Sequence, residues 1–140
     1  MRKIKKNFLR LVVILSLVIV TVGLAVLSAK IITTGAEIWR YNDNIRFYNE
    51  SPVKSDAFTE WVEGEYAARD AMYNSEDLIV RMYSNSWFGI KIASFGLAVA
   101  FYPMAVLFWV CFIREAYVIM RRKYLRSKLR SRLDRKKKNI

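Results

Sequence analysis

Two uninterrupted apolar runs, residues 11–29 and 92–113, carry no charged side chain and are bordered by blocks of charge. They hold 19 and 22 residues. At a helical rise of ~1.5 Å per residue each crosses the ~30 Å hydrocarbon layer of a bilayer, whereas a core helix of a soluble protein would be shorter or carry a polar face. The pattern predicts two transmembrane helices in a hairpin arrangement.

Between the runs the period stays helical and no strand alternation is visible. Ile38, Tyr41, Ile45 and Tyr48 recur at steps of three and four with Arg, Asp and Asn between them, which extends the first helix to about Asn49. Pro52 then interrupts it, because proline lacks an amide hydrogen and disfavours a helical residue before it. Ser55 or Asp56 is placed to cap a second helix running to about Tyr73, with Phe58, Trp61, Val62 and Tyr66 along one side. Asn74 and Ser75 look like the cap of a third, short helix, Glu76 to Tyr83, carrying Leu78, Ile79 and Met82. Ser84, Asn85 and Ser86 loosen the chain before the second run. The fold class expected is an all-α membrane protein: basic N-terminus 1–10, transmembrane helix 11–29, helical loop 30–91, transmembrane helix 92–113 and a basic tail 114–140.

Charge gives the arrangement a direction. The net +12 would suit a nucleic-acid binder if it were spread evenly, but it is not. Residues 1–10 hold five cations and no acids, and residues 114–140 hold twelve cations against Glu115 and Asp134, so the ends total +15. The loop 30–91 holds seven cations and ten acids, a balance of −3. Lys and Arg beside a span are retained on the cytoplasmic side, or on the matrix or stromal side in an organelle. Both termini are therefore expected inside and the loop outside. A cleaved signal peptide is the competing interpretation of the first run, with Ala25, Ser28 and Ala29 as small residues a peptidase accepts; signal h-regions of 7 to 15 residues are shorter than this one.

Composition removes most chemistry. With no histidine, imidazole metal sites and Ser-His or Cys-His nucleophilic pairs are excluded, and the lone Cys111 lies within the second run without a disulfide partner in the chain. No Gly-rich phosphate loop is present. Glu60, Glu63 and Glu65 form the densest carboxylate group, but their spacing matches no calcium loop. No catalytic residue, cofactor, metal or small-molecule substrate is inferred, and the chain is expected not to be an enzyme. Asn49-Glu50-Ser51 matches the glycosylation acceptor pattern, with Pro52 directly after it.

What remains are candidate contact surfaces. On the second run Gly89, Ala93, Gly96 and Ala100 recur at steps of four, three and four, with Pro103 three further on. This small-residue face would let a helix approach closely, either the first span or a neighbour in an assembly. Pro103 leaves the carbonyl of Val99 without its helical donor, so the helix is expected to kink there and to recruit a hydroxyl such as Ser94 or Tyr102, another subunit or a water. Ala25, Ala29, Ser16, Thr21 and Ser28 form a smaller version on the first span. Trp39, Tyr41, Tyr83, Trp87 and Phe88 suit an interfacial belt, while Phe58, Trp61 and Tyr66 either pack within the loop or face a partner.

The tail carries Arg121, Arg122, Lys123, Arg126, Lys128, Arg130, Arg132, Arg135, Lys136, Lys137 and Lys138, with Leu125, Leu129 and Leu133 every four positions. Near an anionic leaflet each such cation contributes on the order of 1 kcal/mol, so headgroup binding is the first expectation. An acidic protein comes second. Nucleic acid comes last, since no groove-reading motif accompanies the charge.

Two spans, both ends inside and a basic tail resemble one class of phage holins in topology. The turn between spans is much shorter in those proteins, and no residue role is carried over. The functional expectation is a small structural or accessory subunit of a membrane assembly for transport, secretion or an organellar complex. The alternatives are a pore-forming or holin-like homo-oligomer, and a tether whose tail recruits an acidic protein or nucleic acid.

Overall fold

The computed structural model describes the backbone of residues 2–138 and the side chains of residues 7–132. Four helices follow one another: α1 (Arg2–Glu50), α2 (Asp56–Tyr73), α3 (Leu78–Asn85) and α4 (Phe88–Lys138), with no strand among the described residues. The apolar runs are internal to α1 and α4. Both are long and apolar enough to cross a membrane, and only 6% of the apolar window of each is buried within the protein.

The chain divides into two compact units, Met1–Tyr102 and Pro103–Ile140. In the first, α2 and α3 pack on the polar half of α1. Ile38 and Ile45 of α1 and Val62 of α2 are buried, and Tyr41 and Tyr48 are half-buried on the same stripe of α1. Tyr48 and Thr59 share a hydroxyl hydrogen bond at 2.9 Å, and the amide of Asn44 donates to Glu65 at 2.9 Å. These polar links sit at the rim of the apolar contact and orient α2 along α1.

Caps set the helix starts. Ser55, in extended backbone, accepts from the amide of Phe58 and opens α2. The start of α3 differs from the sequence expectation: the cap is Asp77, whose carboxylate accepts from the amides of Ile79 and Val80, so the helix begins at Leu78 and runs two residues past Tyr83. The side chain of Ser75 accepts from the amide of Asp77 instead, and Asn74 closes α2. Asp outcompetes the earlier Asn-Ser pair here because it takes two orphan amides at once while also pairing with Lys30.

Two side chains in the N-terminal part of α4 reach α1. Trp39 packs on Phe95 with ring centroids 4.5 Å apart, and the hydroxyl of Tyr102 donates to the carbonyl of Ala25 at 3.0 Å. In the second unit α4 continues through Pro103, and Phe108, Trp109 and Phe112 pack ring to ring along it.

Candidate functional site

The predicted small-residue face is not the surface that meets α1. Ala93, Gly96, Ala100 and Pro103 are exposed, and a Cβ added at Gly96 would meet nothing within 4 Å. Gly89 is covered by its near neighbour, since a Cβ there would lie 2.5 Å from the ring of Trp87. The stripe of α4 turned to α1 is Ser94, Phe95, Ala98 and Phe101, of which Ala98 is buried. Together with Leu24, Leu27, Ser28 and Ile31 of α1, the residues Ser94, Leu97, Ala98 and Phe101 line an apolar groove of ≈ 260 Å³.

The small residues that allow this approach belong to α1. Gly35 is buried, and an added Cβ would lie 2.7 Å from both Phe95 Cδ2 and the hydroxyl oxygen of Tyr83. Ser28 and Thr34 are buried beside it along the helix. A notch on α1 therefore receives a large ring from α4. A glycine inside a helical stretch, which costs about 1 kcal/mol relative to alanine, was the only sequence signal, and it does not distinguish Gly35 from Gly23 or Gly96, where an added Cβ would meet nothing within 4 Å.

Three hydroxyls of the apolar runs, Ser16, Thr21 and Ser94, are satisfied within their own helices. Ser16 and Thr21 donate to the carbonyls of Val12 and Leu17, and Ser94 donates to that of Ile90 at 2.6 Å. Ser94 and Tyr102 are therefore committed to Ile90 and Ala25 rather than to the carbonyl of Val99.

At the end of the first apolar run lies a polar junction. Lys30 of α1 pairs with Asp77, and Tyr83 of α3 donates to the carbonyl of Lys91 at 3.2 Å. The Lys30 hydrogen bond, reinforced by the amides of Ile79 and Val80, holds the Asp77 carboxyl below its ordinary value. Burial raises the Tyr83 phenol above its own, so it acts as a neutral donor. Ser84, next in the chain, is 1% exposed and its hydroxyl has no partner.

Farther from the apolar run, Phe58 stacks on Trp61 at 5.5 Å and meets Phe47 edge-on at 5.9 Å, while Lys54 lies over Tyr48. Phe47 and Trp61 remain exposed, so self-packing within the loop is incomplete. Tyr66 instead lies under the guanidinium of Arg69. Glu60, Glu63 and Glu65 do not converge: Glu65 turns to Asn44 while Glu60 and Glu63 are exposed, and no group of three metal-ligating side chains forms among the described residues.

On the tail, Arg121, Arg122, Lys123, Arg126, Lys128, Arg130 and Arg132 are all exposed, and none pairs with a described carboxylate. Leu125 and Leu129 are exposed on the same helix, with Lys128 and Arg132 beside them and Lys128 also over the ring of Tyr124. The side chains of Leu133, Arg135, Lys136, Lys137 and Lys138 lie outside the described residues. No protein-family model, curated protein or solved structure matches the chain.

Proposed function

We propose that the protein is a small, non-enzymatic integral membrane subunit, a structural or accessory component of a larger membrane assembly. The observation that carries this reading is that two apolar helices leave almost all of their apolar windows outside the protein's own packing. In water such surface would drive aggregation; in a bilayer it is solvated by lipid and free to meet other helices. Both termini lie on the cytoplasmic, matrix or stromal side, on the strength of +15 at the ends against −3 in the loop.

Three surfaces serve the assembly. The face Gly89, Ala93, Gly96, Ala100 and Pro103, unused by α1, offers a close approach to another subunit or another copy. The loop presents its helices, with Phe47 and Trp61 uncovered. The tail binds anionic headgroups through Arg121 to Lys138. Extraction in mild detergent and identification of co-purifying chains tests the reading. Stoichiometric co-purification with other polypeptides is expected. A homo-oligomer that depolarises cells when expressed alone would replace it with the pore reading.

A further inference from the structure

Helix α3 is tied at both ends to residues bordering the two apolar runs. Its cap, Asp77, pairs with Lys30, the first charged residue after the first run. Near its other end Tyr83 reaches Gly35 and donates to the carbonyl of Lys91, the last residue before the second run. Gly35 lies five residues past Lys30, only ~8 Å along the helix axis at ~1.5 Å per residue. Both points at which α3 meets α1 thus lie within about two helical turns of the end of the first apolar run.

Its surface is divided three ways. Tyr83 and Ser84 are buried and Ile79 and Val80 are half-buried, all toward the protein. Leu78 and Met82, one turn apart, are 57% and 66% exposed, and Trp87 and Phe88 after them are 76% and 66% exposed. Arg81 and Asn85 are exposed on the adjoining stripe. Ile90 and Ile92, in the first turns of α4, are also exposed.

We propose that α3 is an interfacial helix, lying in the extracytoplasmic headgroup layer with Leu78, Met82, Trp87 and Phe88 inserted at the acyl boundary. The occupant of this face is lipid, because Asp77 and Tyr83 fasten α3 to Lys30 and Lys91, the residues that border the two apolar runs. Trp87 suits that layer through its amphipathic ring, and Arg81 reaches phosphates and water. The proposal rests on residues 11–29 and 92–113 being membrane spans.

The test uses the full chain with Cys111→Ser and single cysteines at Leu78, Met82, Glu63 or Leu97, each carrying a small fluorophore, in nanodiscs of phosphatidylcholine and phosphatidylglycerol. Quenching is read with lipids bearing a nitroxide near the headgroup or near the chain end, and with aqueous iodide. Leu78 and Met82 should be quenched by the shallow nitroxide at least about twofold more than Glu63, and be shielded from iodide relative to it. Iodide access equal to that of Glu63, with no lipid quenching, overturns the proposal. Leu97 reports on the span: its quenching by the deep nitroxide while Leu78 and Met82 stay dark to lipid rejects the interfacial helix alone, and its failure to be quenched rejects the spans and the helix together.

Discussion

Gly35 and Ser84 show how single positions make or limit the contact between α1, α3 and α4. A methyl at Gly35 would press on the Phe95 ring and the Tyr83 hydroxyl at 2.7 Å. Gly35→Ala should destabilise the first unit by about 1–3 kcal/mol, the usual cost of overpacking, and thermal unfolding in a fixed detergent reads it directly. Ser84→Ala should act in the other direction. Its hydroxyl is fully buried and unpaired, so its removal at nearly constant shape should stabilise by up to about 1 kcal/mol in the same assay. Gly96→Leu separates fold from assembly, since nothing lies within 4 Å of a Cβ there. The melting temperature should be unchanged while the complex migrates as a smaller species on native gels; unchanged migration would leave that face lipid-covered only.

At the scale of elements, α3 depends on one carboxylate that both caps it and fastens it to α1. The fold depresses the Asp77 pKa, first through Lys30 and then through the two amides. A depressed carboxylate contributes stability that is present above the unfolded value of about 3.8 and is lost as pH falls through the lower folded value. Docking of α3 should therefore hold at neutral pH and fail only in strong acid. Lys30→Gln should move the Asp77 titration, followed by carboxyl NMR, upward toward 3.8. The tail element has its own expectation. A peptide of residues 121–140 should gain helicity on anionic vesicles and ignore neutral ones, and its binding should weaken steeply from low to physiological salt as the Debye length shortens to ~8 Å. Tight binding to DNA with no response to anionic vesicles would transfer the tail to the tether reading.

For the whole molecule, the expectation is a chain whose loop and tail face opposite compartments. With Cys111 replaced, Val53→Cys and Ser131→Cys should be labelled from opposite sides by an impermeant thiol reagent, and labelling from the same side would end the two-span arrangement. The helices themselves were legible in the sequence. Apolar runs of 19 and 22 residues, a proline at 52 and a serine at 55 act through local sterics and hydrogen bonds, so α1, α2 and the existence of α4 follow from neighbours in the chain. Net charge by region is likewise a linear property. Which faces meet was not legible, because packing is a relation between two surfaces. The small residues of α4 suited either the first span or a neighbouring subunit, and between α1 and α4 it is α1 that supplies the notch at Gly35 and α4 that supplies the ring of Phe95. The start of α3 was also settled in three dimensions, since Asp77 gains Lys30 from 47 residues away and a local capping rule carries no such term.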